Sequence, residues 1–161
     1  MIELRDITWD NFWDIINLKT YDSQTNFLPS NAIFMAEAYI NLKFHYPDVC
    51  FAIYNDDVPI GFTKIVFVQK NEKQFNFAEN TYYIDALMIG ENYQGKGYGK
   101  AALTQILHFI EKEPWGSVES IKLSCYDENE AAIALYRKFG FKKTKNHVKD
   151  NDKLTIYVKD N

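Results

Sequence analysis

Between Tyr82 and Gly99 the chain reads YYIDALMIGENYQGKGYG, an apolar run that ends in a glycine-rich turn and opens at once into a helical pattern. A strand feeding such a turn leaves the first N–H groups of the next helix without partners and aims the positive end of its dipole at the turn. That arrangement holds anions, and phosphate is its default ligand. The joint also requires a sheet and a crossing helix in one unit, which points to a mixed α/β chain.

Two standard phosphate loops fail against these letters. Gly90 to Lys96 spells G-x-x-x-x-G-K, but Gly97 follows where a P-loop needs the Ser or Thr that holds magnesium. A dinucleotide fingerprint needs glycine where Lys100 stands, and no acidic residue ends the next strand to hold a ribose. What remains is Q-x-x-G-x-G, from Gln94 to Gly99, after a strand in the middle of the chain.

Periodicity supplies the other elements. Ile2 to Ile7 alternates as a half-buried strand, and Thr8 offers a cap to a helix carrying Phe12, Ile15 and Ile16. An irregular stretch from Asp22 to Ser30 precedes a second helix over Asn31 to Phe44, with Phe34, Ala38 and Leu42 on one face. Val49 to Tyr54, the turn Asn55-Asp56-Asp57 and Pro59 to Gln69 read as a hairpin, and a polar loop from Lys70 to Asn76 leads to the strand Tyr82 to Ile89. The helix after the glycines, Gly97 to Glu113, buries Leu103, Ile106 and Ile110 and is stopped by Pro114 and Gly116. Ser120 to Tyr126 is a strand. Asp127 and Glu130 read as a capping pair for a helix with Ala132, Leu135, Tyr136 and Phe139 at core spacing, closed by Gly140. Phe141 to Lys145 and Lys153 to Val158 are closing strands around the polar turn Lys149 to Asp152. The order β-α-α-β-β-β-α-β-α-β-β excludes all-helical and all-β folds, and residues 1–161 are expected to form one domain.

Charge narrows the partners. With 18 Lys and Arg against 22 Asp and Glu, the net charge of -4 offers no broad basic surface for nucleic acid. No run of apolar residues is long enough for a membrane span, and the start MIELRDITWD lacks the pattern of a secretory signal. Cys50 and Cys125 lie in apolar strands without a second ligand at metal spacing, and His45, His108 and His147 fall on different elements. No metal is expected, and a reducing, cytoplasmic compartment is.

The Gln94 to Gly99 run resembles the pyrophosphate loop of the GCN5-related N-acetyltransferases (GNAT), Arg/Gln-x-x-Gly-x-Gly/Ala. Downstream, NEAAIALYRKFGF from Asn129 to Phe141 resembles that family's N-x-x-A-x-x-L-Y-x-x-x-G-F segment. The resemblance implies a mostly antiparallel, V-shaped sheet with helices on both faces. It implies acetyl-coenzyme A as cosubstrate and direct attack of an amine on its thioester in a ternary complex. Backbone at Leu87, Met88 and Ile89 would hold the pantetheine arm and the oxyanion, and N–H groups from Gln94 through Gly95, Lys96, Gly97, Tyr98, Gly99 and Lys100 would hold the pyrophosphate. The Asn129 amide would hold the pantetheine chain, and the Tyr136 hydroxyl would protonate the departing thiolate. Tyr136 also lies on the apolar stripe of its helix, so a core role competes with the catalytic one. The family often dimerises, which makes a homodimer a further expectation.

Acceptor chemistry rests on Asp85. An alkyl ammonium has a pKa near ~10.4, so the acceptor amine must lose a proton before or during attack. Asp85 interrupts an apolar strand two residues before Leu87, on the same face by alternation, and a charge there needs a cleft or a partner. Family members with a base carry an acidic residue here, often Glu; the shorter Asp suits a bridging water or cation binding. Leu18 to Ala38, with Tyr83-Ile84-Asp85 and YQGKGYGK, is similar to bacterial spermine/spermidine acetyltransferases, so a small polyamine such as spermidine or spermine is the leading acceptor. Asp22, Asp85, Glu91, Asp127 and Glu128 are expected to gather negative charge at the cleft mouth. The alternatives are a protein or peptide amine, an amine antibiotic, or a non-catalytic acyl-coenzyme A sensor, against which Asp85 and Tyr136 together argue.

Overall fold

A computed structural model describes residues 1–73, 75, 77–148 and 151–161, with backbone alone at residue 152. One sheet runs in the order β1-β2-β3-β4-β5-β7-β6, from β1 (Ile2–Asp6), β2 (Asp48–Asn55), β3 (Val58–Val68), β4 (Thr81–Ile89), β5 (Ser120–Tyr126), β6 (Lys142–Val148) and β7 (Asn151–Asp160). The helices are α1 (Phe12–Asn17), α2 (Asn31–Lys43), α3 (Tyr98–Ile110) and α4 (Glu130–Lys138), in the order the periodicity predicts. Lys149 and Asp150, in the turn expected between the closing strands, and Gln74 and Asn76, in the expected polar loop, lie outside the described residues. That loop is less polar than it reads, because Phe75 within it, like Phe77 just beyond it, packs on Tyr83.

Alternation sorts the side chains. Ala52 and Tyr54 of β2, Phe62 of β3 and Ala86 of β4 meet Ile15 of α1 and Phe34 of α2 on one face. Phe51, Ile65, Phe67, Tyr82 and Ile84 meet Leu103, Ile106 and Ile110 of α3 on the other. Each of those three α3 side chains is fully buried. At about 1.5 to 3 kcal/mol apiece they fix the helix on the sheet, and its N-terminus with it.

All strand pairings described are antiparallel except β4 with β5. That parallel ladder covers Thr81–Ile84 against Ser120–Leu123 and stops there, although β4 runs on to Ile89 and β5 to Tyr126. The sheet therefore opens into a V, and among the described residues the inner edge of β4 from Asp85 to Ile89 has no strand partner. A second irregularity lies in the β3–β4 ladder, where Lys64 pairs with Ala86 and Ile65 with Ile84. Asp85 is the extra residue of a β-bulge. The bulge interrupts the alternation that would set Asp85 on the face of Leu87, and re-aims its side chain.

Two expected caps are corrected. Asn11, not Thr8, caps α1; its Oδ1 accepts from the Thr8 N–H at 2.9 Å and so closes the turn before the helix. Asn129, not Asp127, caps α4 by accepting from the Ala132 N–H at 3.2 Å. Asp127 instead accepts from Lys143 Nζ at 2.8 Å and Thr155 Oγ1 at 3.0 Å, which ties it to β6 and β7.

Candidate active site

The gap of the V holds two cavities, one of about 610 Å³ and one of about 290 Å³. Phe27, Leu28, Leu87, Asn129, Ala132 and Tyr136 line both, so the two volumes meet at this boundary. An arrangement with two chambers and one shared wall suits a reaction between two substrates.

The smaller chamber is floored by Met88 and Ile89 of β4 and ends at Gln94, Gly95, Gly97, Tyr98 and Gly99. Gly95 and Gly97 hold φ values of 76° and 82°, a left-handed backbone that strains other residues, and a Cβ at either would meet only open space. Their requirement for glycine is therefore conformational. Among the described residues, the N–H groups from Gly95 to Lys100 donate to no protein acceptor. Together with the α3 dipole they are suited to hold an anion. Gln94 is fixed from two sides: its Nε2 donates to Ile89 O at 2.9 Å and to Gln24 Oε1 at 2.8 Å, and Gln24 Nε2 donates back at 3.1 Å. Lys96 and Lys100 line neither chamber, and Lys96 Nζ turns to Asn92 O at 2.9 Å.

Tyr136 comes from α4 at the shared wall. It is buried, and burial pushes its phenol pKa above the ordinary value, so the hydroxyl stays protonated. Among the described residues that hydroxyl makes no hydrogen bond to protein, which leaves it free for a ligand. Cys125 lines the larger chamber, and burial pushes its thiol up to about 12. A thiol so protonated is a poor nucleophile, as expected of a structural cysteine.

Asp85 lines the larger chamber with Glu37, and both carboxylates turn to the buried Lys64. Lys64 Nζ lies 2.8 Å from Asp85 Oδ2, 3.0 Å from Glu37 Oε2 and 3.5 Å from Asp48 Oδ2. Burial raises the Asp85 pKa, and Lys64 opposes the rise. Three carboxylates against one ammonium leave this cluster net negative, with Asp48 buried behind the lining carboxylates Glu37 and Asp85, while Lys73 lines the chamber as well. The remaining lining is largely aromatic and aliphatic, including Phe34, Phe77, Tyr83 and Tyr126. Of the five carboxylates expected at the mouth, Asp85 lines a chamber; Asp22, Glu91, Asp127 and Glu128 do not.

A family model described as the acetyltransferase (GNAT) family matches residues 9–141. The chain belongs to the GNAT acetyltransferase family. This acetyltransferase is 28% identical over 141 residues, 87% of each chain, to the spermine/spermidine N(1)-acetyltransferase of Bacillus subtilis strain 168. Among solved structures it resembles the PaiA N-acetyltransferase of Thermoplasma acidophilum in complex with coenzyme A, with a TM-score of 0.69 at 15% identity over 100% of this chain and 99% of that one. It also resembles Arabidopsis thaliana Naa50 in complex with the bisubstrate analogue CoA-Ac-MVNAL, with a TM-score of 0.64 at 22% identity over 98% and 97% of the two chains. These neighbours share its mixed α/β fold.

Sequence reasoning missed Lys64, Glu37 and Asp48 in this acetyltransferase. One signal was available: Lys64 stands in IGFTKIVFV, a run as apolar as the one that drew attention to Asp85. Two unexplained charges in neighbouring strands of one hairpin-like register are a candidate pair. Gln24 carried no such signal, because its partner lies in a loop whose fold periodicity does not describe. Among the described residues, no group of three or more His, Cys, Asp and Glu is placed to hold a metal, and no helix is long and apolar enough to cross a membrane.

Proposed function

We propose that this enzyme transfers an acetyl group from acetyl-coenzyme A to a primary amine of a small polyamine. The observation that carries the reading is the pair of chambers meeting at Tyr136 and Leu87, one ending in an anion site and the other walled by carboxylates. The smaller chamber fits the donor: free N–H groups from Gly95 to Lys100 suit a pyrophosphate, and the unpaired edge of β4 suits an amide-bearing arm. Acetyl-coenzyme A would supply the acyl group there as a thioester.

The residues divide the work. The backbone of Leu87 to Ile89 orients the donor and faces the charge that develops on the acyl oxygen. Asn129 lines both chambers beside that backbone and would hold the pantetheine arm. Tyr136, kept protonated by burial, donates its proton at the departing sulfur. Asp85, with a pKa raised by burial, accepts a proton from the acceptor amine directly or through a water.

The polyamine reading draws on the 28% identical Bacillus subtilis relative and on the excess of carboxylate over ammonium in the Lys64 cluster. Apolar and aromatic lining around those charges suits the methylene segments between amines. A panel of amines assayed for coenzyme A release tests it. Spermidine and spermine are expected to turn over well above neutral amines of similar length. Turnover confined to peptides or aminoglycosides overturns the polyamine assignment, and donor binding without turnover of any amine points to an acyl-coenzyme A sensor.

A further inference from the structure

The structure assigns a role to Lys64: we propose that it is the positioning residue of the acceptor chamber, holding the Asp85 carboxylate at the chamber wall and tying α2 to it. The inference deepens the acetyltransferase reading and rests on Asp85 being the carboxylate that meets the acceptor.

The geometry is specific. Lys64 is 2% exposed in a strand that is otherwise apolar but for Thr63, and a buried ammonium there is costly unless its partners hold it. An apolar side chain of similar length would fill the same space without that cost. Its partners come from three other elements, Glu37 from α2, Asp48 from β2 and Asp85 from β4, and the Phe34 ring centroid lies 5.6 Å from Nζ. Asp85 reaches Lys64 because it is the bulged residue opposite the Lys64–Ile65 step. Bulges re-aim side chains beside active sites, and here the bulge delivers one carboxylate oxygen to Lys64. Oδ2 is engaged at 2.8 Å, which leaves Oδ1 for the acceptor.

The consequence is a carboxylate whose direction and ionisation depend on Lys64. Asp85 is surrounded by Lys64 from β3, Glu37 from α2, Asp48 and Cys50 from β2 and Tyr83 from its own strand, while Tyr136, His147 and Lys73 line the chamber it faces. Lys64 is the cation in contact with it. Without that ammonium, burial and the two neighbouring carboxylates hold the proton on Asp85 to higher pH. Glu37, bonded to the same ammonium, ties α2 to the same wall, so Lys64 also sets the spacing between the two carboxylates an acceptor meets.

A double-mutant cycle tests this on the full chain: wild type, Lys64→Met, Asp85→Asn and the combination, with kcat and KM for the turned-over amine measured across pH and coenzyme A affinity measured by calorimetry. Asp85→Asn is expected to lose about tenfold to a hundredfold in kcat/KM. Lys64→Met should lose a similar factor and move the acid limb of its profile to higher pH, and the combination should be no worse than Asp85→Asn alone. Coenzyme A affinity should stay unchanged, and Lys64→Arg should recover most of the loss. Wild-type kinetics in Lys64→Met, an unmoved pH profile, or losses that multiply in the combination overturn the proposal. An Asp85→Asn enzyme of full activity overturns the underlying role of Asp85, and that result is separately visible. Should Lys64→Met fail to fold, Lys64→Met with Glu37→Gln and Asp48→Asn removes the surplus charge and is compared with the Glu37→Gln, Asp48→Asn enzyme for the same profile shift.

Discussion

Tyr136 stands edge-on to Phe141, with ring centroids 6.0 Å apart and an interplanar angle of 64°. The residue belongs to the core and also lines both chambers. The core role that competes in the sequence with the proposed catalytic one is therefore compatible with it, because different atoms of one side chain would carry them.

Tyr136→Phe separates them. It keeps the ring and its contact with Phe141 and removes the proton donor, so the melting temperature and coenzyme A affinity should hold while turnover falls about tenfold to a thousandfold. Rapid-quench measurement of the chemical step is the check. An unchanged step would return Tyr136 to the core alone and leave water as the acid.

At Gly97 the cost of a side chain is set by backbone rather than by space, because φ is 82° and a Cβ would meet no atom within 4 Å. Gly97→Ala should fold, lose about 1 to 2 kcal/mol from the left-handed conformation, and weaken coenzyme A binding modestly. Gly97→Glu adds a negative charge beside the anion site and should abolish binding. Calorimetric titration with coenzyme A distinguishes the two. Equal binding by Gly97→Glu and wild type would remove the loop from the donor site.

Much of this was readable in the letters. The order of strands and helices followed from period-2 and period-3.6 patterns, and the turn from strand into helix from the glycines after β4, because both signals are local. The β4 bulge was not readable, since a single extra residue leaves an apolar strand looking continuous. Its position depends on pairing with β3, and so do the partners of Asp85. The charged cluster was hidden for the same reason: Glu37, Asp48 and Lys64 are far apart in sequence and meet through the β2–β3–β4 register and the docking of α2. Asp127 and Asn129 are equally good caps for α4 by sequence; Lys143 and Thr155, distant in sequence, hold Asp127 and leave the cap to Asn129.

Gln24 links the segment before α2 to the glycine loop. Its carboxamide exchanges two hydrogen bonds with Gln94, and the segment that carries it supplies Phe27 and Leu28 to both chambers. Gln24→Ala should cost about 0.5 to 1.5 kcal/mol for each bond lost and loosen that segment. KM is expected to rise for both substrates, with kcat less affected. A rise confined to coenzyme A would show that the segment does not couple the chambers.

The charged cluster also predicts a pH dependence of stability that isolates Asp48. Burial pushes its carboxyl up to about 6, its Oδ1 has no hydrogen-bond partner among the described residues, and Oδ2 accepts from Asn41 Nδ2 at 2.7 Å. The folded chain thus takes up this proton at about pH 6, whereas the unfolded chain does so near the ordinary 3.8. Stability from the neutral form is fully present below the unfolded value and is lost as pH rises through about 6. Glu79, held by Lys122 and Ser120, works in the opposite sense, so the comparison must be with Asp48→Asn, in which every other group is kept. Asp48→Asn should gain on wild type by on the order of 1 to 3 kcal/mol between about pH 4 and about pH 7, and the difference should flatten above that. Urea denaturation of both proteins across this range measures it. A difference that does not grow with pH would mean that Lys64 keeps Asp48 ionised throughout, with the ammonium shared equally among its three carboxylates.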